Sequence, residues 1–268
     1  MQTRAIPSSG EAVPVIGLGT WQTFDTADVQ PLLPVVDAFA SAGGRVIDSS
    51  PMYGRAEEAV GKVQGRVTRP FLAMKVWTRG RAEGIEQMER SFRLLQTEVI
   101  DLMQVHNLLD WRVHLGTLRD WKAQGRIRYI GVTHYVTSAF GELESILRGE
   151  ELDFVQLPLS VGVPDAARRL LPLARERGVA VLVNRPFEEG ALLRRLRGRA
   201  LPDEARDLGC ASWSELLLRW IVAHEEVTCV IPATGSRAHL EQNLRAGEGR
   251  TLTVKERERM AAMAKSEG

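Results

Sequence analysis

Eight times along this chain, a short run that is almost continuously apolar and rich in β-branched residues gives way to a longer run with helical spacing. The short runs cover residues 15–20, 46–49, 71–76, 100–106, 129–133, 154–159, 179–184 and 228–232. Strands buried on both faces read this way, because both faces meet apolar neighbours. The longer runs cover residues 32–42, 56–63, 83–95, 113–124, 138–147, 166–177, 212–223 and 237–246, and several stop at a glycine such as Gly43, Gly125 or Gly178. Within 83–95, Ile85, Met88, Phe92 and Leu95 make one apolar face. Strands that alternate with helices lie parallel in α/β folds, and eight such units close into a (β/α)8 barrel. The 268 residues match the roughly 250 typical of that barrel. No linker interrupts the series, so a single domain over 1–268 is expected. The residues ahead of the first strand would form a hairpin that plugs one barrel end, and residues 253–265 would add a C-terminal helix. An open doubly wound sheet is the alternative. Its glycine-rich turn should follow the first strand, whereas Gly17-Leu18-Gly19 falls inside it.

Charge narrows the function classes. With 35 basic and 34 acidic residues, the net charge of +1 does not suit a nucleic-acid binder. No apolar run approaches the roughly 18 residues that span a bilayer. The first 17 residues lack the apolar segment of a signal peptide, so a cytoplasmic location is expected. Cys210 and Cys229 sit in no paired motif and read as buried thiols, while His114, His134, His224 and His239 share no ligand spacing, so no metal is expected.

In such barrels chemistry gathers at the C-terminal strand ends. Asp48 ends the second run, Lys75 the third and His106 the fourth, and Tyr53 follows Asp48 by five residues. A free phenol titrates near 10, and a neighbouring ammonium should lower that value. Asp48 would hold Lys75 charged, His106 would hydrogen-bond a substrate oxygen, and Tyr53 would protonate a carbonyl as hydride arrives. Taken singly, each has a plainer reading: Asp48 as a helix cap, Lys75 as a surface lysine, Tyr53 as a packed aromatic, His106 as a core histidine. All four at consecutive strand ends fit the plainer readings poorly.

The stretch from Gly44 to Gly54, with Asp48-Ser49-Ser50-Pro51-Met52-Tyr53, followed by Glu58-Ala59-Val60-Gly61, resembles the first signature of the aldo-keto reductase superfamily. Met74-Lys75-Val76-Trp77, the run from Asp101 to His106, the run from Gly125 to Val132, and Val230-Ile231-Pro232-Ala233-Thr234 are similar to later parts of that family. The resemblance covers nearly the whole chain. It implies metal-free, NAD(P)H-dependent reduction of aldehydes or ketones and a tetrad of Asp48, Tyr53, Lys75 and His106. Ala233-Thr234 and His239 depart from the pattern of NADP-preferring members, but Thr234, Ser236, Arg237 and His239 before a helix could still hold phosphate, so NADP(H) is expected with NAD(H) open. The resemblance places Thr20, Trp21, Thr133, His134, Gln156, Asn184, Arg185 and Phe187 at the nicotinamide end of the cofactor. Thr234, Ser236, Arg237, His239, Gln242 and Asn243 would meet the phosphate and adenosine.

Some positions depart from the family pattern. Thr133-His134 stands where Ser-Asn is usual, and Asn184 stands at the place of a ring-stacking aromatic, so Arg185 would have to cover the ring or leave it less covered. The Arg194–Arg199 cluster reads as a phosphate clamp or as a solvated face. Trp21, Met52, Trp77 and Trp111, and more remotely Phe24, would shape a pocket for a small carbonyl substrate. A monomer or weak homo-oligomer is expected. Two alternatives remain open on sequence. One is a slow, regulatory cofactor-binding subunit, as among potassium-channel β-subunits of the superfamily. The other is a Schiff-base aldolase using a neutral Lys75.

Overall fold

The computed structural model describes residues 1–266. Strands β1 (Thr3–Ala5) and β2 (Ala12–Pro14) form an antiparallel hairpin. Eight parallel strands follow: β3 (Leu18–Gly19), β4 (Val46–Asp48), β5 (Phe71–Val76), β6 (Ile100–His106), β7 (Ile127–Thr133), β8 (Phe154–Pro158), β9 (Ala180–Asn184) and β10 (Val227–Val230). Each pairs with the next in chain order. The helices are α1 (Leu33–Ser41), α2 (Ala56–Val63), α3 (Arg81–Leu95), α4 (Trp111–Ala123), α5 (Phe140–Gly149), α6 (Asp165–Glu176), α7 (Ala191–Arg195), α8 (Asp203–Asp207), α9 (Trp213–Val222), α10 (Arg237–Arg245) and α11 (Val254–Ser266). The expected (β/α)8 architecture is present, with the short α7 and α8 added between β9 and α9. Among the described residues, no helix is long and apolar enough to cross a membrane.

The ends of the sheet meet along a seam. Bridges Ile16 to Val230 and Gly19 to Ala233 join the first strand to the last. Gly17 N donates to Val230 O at 2.8 Å, and Gly19 N to Pro232 O at 3.1 Å. Of the strand expected over 15–20, Leu18 and Gly19 form β3, and Ile16 is joined to Val230 by an isolated bridge. A Cβ at Gly19 would stand 2.7 Å from the Ile231 carbonyl oxygen, so the close approach requires glycine. Gly125, at φ 73°, ends α4 in a conformation that side-chain-bearing residues rarely adopt.

Strand alternation divides the apolar residues into two cores. Ile47, Leu72, Met74, Met103 and Val105 pack with the helices, for example against Met88, Phe92 and Leu95 of α3. Phe71, Leu102, Tyr129, Phe154 and Leu182 fill the barrel interior, joined there by Ile6 and Val13 of the hairpin. Phe71 and Tyr129 stack at 5.8 Å, and Phe154 meets Tyr129 edge-on at 5.6 Å. The Tyr129 hydroxyl donates to Glu11 Oε2 at 2.9 Å and lies 2.7 Å from Ser9 Oγ, and Glu11 also pairs with Arg45 and Arg128. The hairpin thus seals the N-terminal end, as expected. With that end packed by hydrocarbon, the inward polar residues collect at the opposite one.

Candidate active site

A cavity of about 610 Å³ opens at the C-terminal ends of the strands. Asp48, Tyr53 and His106 line it, and behind them lies Lys75, whose side chain is fully buried near the end of β5. The ammonium donates to Asp48 Oδ2 at 2.7 Å and to the Ser49 carbonyl at 2.7 Å, leaving one of its three N–H donors. Its Nζ lies 5.2 Å from the centre of the Tyr53 ring. Tyr53 and His106 meet edge to face, 5.9 Å apart at 85°. The structure therefore brings together all four residues singled out at the strand ends.

Desolvation governs the electrostatics. Burial draws Lys75 below its ordinary value, while the charges of Asp48 and Glu57 pull it back. Burial and the Asp48 charge push the Tyr53 phenol well above its ordinary value. This reverses the lowering expected from the ammonium alone, because the nearby carboxylate and the loss of water outweigh it in the ligand-free site. Burial, with the Lys75 and His134 charges, drops His106 to about 2, so its imidazole is neutral. Ser50 Oγ accepts from Met52 N at 3.3 Å and lies 2.9 Å from His106 Nδ1.

A chain of amides leads away from Asp48 across the barrel. Gln156 Nε2 donates to Asp48 Oδ1 at 2.7 Å. Gln156 Oε1 accepts from Thr133 Oγ1 at 3.0 Å and from Asn184 Nδ2 at 3.4 Å. Asn184 Nδ2 also reaches the His134 carbonyl at 3.3 Å, and Asn184 Oδ1 is buried without a partner among the described residues.

Six of the remaining expected residues line the same cavity: Thr20, Trp21, Met52, Trp77, Arg185 and Phe187. Trp21, Met52 and Trp77 are large apolar side chains left exposed at its rim. Others lie elsewhere. Trp111 opens α4 and donates from its indole to Glu142 Oε1 at 2.9 Å, away from the cavity wall. Phe24 belongs to the core. His134 turns back on its own loop, where Nδ1 accepts the N–H groups of Tyr135 (2.9 Å) and Val136 (3.2 Å). Arg185 lies over the Tyr135 ring at 5.5 Å, donates to Tyr135 O at 3.0 Å and pairs with Glu189. Thr234, Ser236, Arg237 and His239 form the first turn of α10 and its approach, just past the cavity-lining Ala233. Gln242 and Asn243 follow on the same helix, with Gln242 accepting from Ser214. In the arginine cluster, Arg194 donates to Glu189 O and Arg195 pairs with Glu188.

Three residues escaped the sequence reading. Ser50 orients His106, and its place inside the Ser49-Ser50 pair was the available signal. Asn107, directly after His106, lines the cavity with a left-handed backbone (φ 54°) and an Oδ1 that has no partner among the described residues. Tyr135 is 44 % exposed on the wall, an aromatic placed just beyond the β7 end.

The family model for the aldo/keto reductase family matches residues 15–265. The chain belongs to that family. It is 28% identical to the methylglyoxal reductase YeaE of Escherichia coli over 253 residues, covering 91% of this chain and 89% of that one. The holo form of aldo-keto reductase AKR11C1 from Bacillus halodurans superposes with a TM-score of 0.80 at 25% identity, covering 98% and 96% of the two chains. An aldo-keto reductase from Klebsiella pneumoniae in complex with NADPH gives a TM-score of 0.79 at 26% identity, covering 97% and 94%.

Proposed function

We propose that this aldo-keto reductase reduces the carbonyl of a small aldehyde or ketone, using NADP(H) in preference to NAD(H), with Tyr53 as the proton donor. The observation that carries the reading is the fully buried Lys75–Asp48 pair, 2.7 Å apart, set beside Tyr53 and a neutral His106 in one cavity. The cavity fits a nicotinamide in its chemistry: it has aromatic walls at Trp21 and Tyr135 and an amide-lined side at Gln156 and Asn184. Thr20, Trp21, Thr133, Gln156, Asn184, Arg185 and Phe187 would hold the nicotinamide end. Thr234, Ser236, Arg237 and His239, at the positive end of the α10 dipole, would meet phosphate, with Gln242 and Asn243 beside the adenosine. The NADPH complex of the Klebsiella pneumoniae relative supports the preferred cofactor.

Bound nicotinamide would supply hydride to the carbonyl carbon. A phenol held above its ordinary value keeps its proton at neutral pH and releases it only as negative charge grows on the neighbouring oxygen. Lys75 then stabilises the phenolate left behind, and Asp48 keeps Lys75 charged. Because Ser50 Oγ already accepts from Met52 N, its own proton is available to His106 Nδ1. That assigns the imidazole proton to Nε2, as a donor to the carbonyl oxygen. The Schiff-base alternative needs a neutral, reachable amine, whereas Lys75 is fully buried against a carboxylate.

Tyr53→Phe tests the reading. Turnover should fall by roughly 10²–10⁴ while NADPH still quenches tryptophan fluorescence. A reduction rate near wild type would refute the assignment. Titration with NADPH and NADH, followed by a panel of aldehydes, α-dicarbonyls and keto-sugars, would define cofactor and substrate. The similarity to a methylglyoxal reductase makes α-dicarbonyls the first class to try.

A further inference from the structure

The amide chain beneath the cavity has only one possible polarity. Asp48 faces Lys75 as an acceptor, so the group of Gln156 that meets Asp48 Oδ1 at 2.7 Å must be its N–H2. Gln156 Oε1 is thereby turned toward Thr133 and Asn184. Asn184 meets two acceptors, Gln156 Oε1 at 3.4 Å and the His134 carbonyl at 3.3 Å, so its N–H2 must face them; a flipped amide would set oxygen against oxygen twice. The chain therefore ends on Asn184 Oδ1, a buried acceptor without a donor among the described residues, in a residue that lines the cavity. A buried acceptor left unpaired is costly. The two bonds made by Nδ2 are long, so a small rotation of the amide can turn Oδ1 to the cavity at little loss.

The position of this acceptor says which ligand it serves. Asn184 ends β9, four strands around the eight-stranded ring from β5, which carries Lys75. A carbonyl substrate must lie against Tyr53 and His106 on the Lys75 side, with the hydride donor between it and the opposite wall. An acceptor on that opposite wall belongs to the hydride donor. Resting on the reductase reading above, we propose that Asn184 Oδ1 accepts a hydrogen bond from the carboxamide N–H2 of the nicotinamide. Asn184 is then a binding residue that orients the ring. It does so at the position where the sequence pattern leads one to look for an aromatic stack. Arg185, the other candidate there, is committed to Tyr135 and Glu189.

The test compares NADPH with its reduced 3-acetylpyridine analogue, in which a methyl ketone keeps the oxygen and lacks the N–H2. Dissociation constants are read from quenching of tryptophan fluorescence, since Trp21 and Trp77 line the cavity. Wild type should prefer NADPH by about tenfold, equivalent to about 1.4 kcal/mol. Asn184→Leu and Asn184→Ala should each bring the ratio to within about twofold, mainly by weakening NADPH. A wild-type ratio near one overturns the proposal without any variant, and so does a full ratio retained in either folded variant. Failure of wild type to bind either dinucleotide would instead bring down the reductase reading, and this inference with it.

Discussion

Asp48→Asn separates the charge of the buried pair from its shape. The Lys75 side chain is wholly inaccessible and that of Asp48 is 4% accessible, so neither charge is relieved by water. Removing one partner of a buried pair costs about 3–5 kcal/mol, because the other charge is left uncompensated. The asparagine oxygen still accepts from Nζ, which places the loss at the lower end, about 3 kcal/mol. Unfolding entropy of about 2.1 cal/mol/K per residue over a chain of this length turns that into a drop in Tm of roughly 5 °C. The new amide N–H2 would also face Gln156 Nε2, so NADPH affinity should fall through the amide chain. The pH dependence follows from burial, which holds Lys75 below its ordinary value while Asp48 pulls it up. A folded-state pKa below the unfolded one makes the unfolded chain bind more protons over that interval, so stability rises with pH across it. Losing Asp48 lowers the folded value further. The deficit should therefore be largest below that value and shrink as alkaline solution neutralises the amine. Thermal unfolding followed by circular dichroism at neutral and alkaline pH measures both. A Tm within about one degree of wild type at neutral pH, or a gap that widens as pH rises, would refute the reasoning.

Other outcomes follow from the same geometry. With His106 held at about 2, kcat/KM for carbonyl reduction should show no inflection near the ordinary histidine range, and a His106-dependent break there would contradict its neutral assignment. Ile6→Ala, at a fully buried position in the barrel plug, should cost about 2–5 kcal/mol in denaturant unfolding. The rate per folded molecule should be preserved, because the cavity lies at the other end. Gly19→Ala should lower Tm or solubility by forcing the seam apart at Ile231 O, and a variant as stable as wild type would show that the seam can give.

Much of the barrel could be read in the sequence because both of its cores are written in the period of two along central strands such as β5 and β6. There, buried residues run without a break and the expected bounds match the structure. The first strand was harder: toward the last strand it makes only isolated bridges at Ile16 and Gly19 instead of a continuous ladder, and only Leu18 and Gly19 form β3. Asp48, Tyr53, Lys75 and His106 were legible because each stands at a strand end or on the adjoining loop. Their electrostatics were not, since the direction of the Tyr53 shift depends on burial and on a carboxylate across the floor. His134 looked like a ligand contact by its place in the chain. Only coordinates reveal that its ring is spent on two backbone N–H groups of its own loop. Trp111 misled in a similar way, since an aromatic near a strand end serves equally well as the first residue of a helix.

The seam has a bearing on how the molecule comes into being. Ile16 and Gly19 leave the ribosome long before Val230 and Ala233, which they must meet. Until then β3 and the growing row of strands each carry a free edge of unpaired backbone groups, the kind of surface on which chains aggregate. Closure therefore brings together the two strands of the sheet most distant in sequence, a non-local and slow pairing that cannot form before β10 has been made.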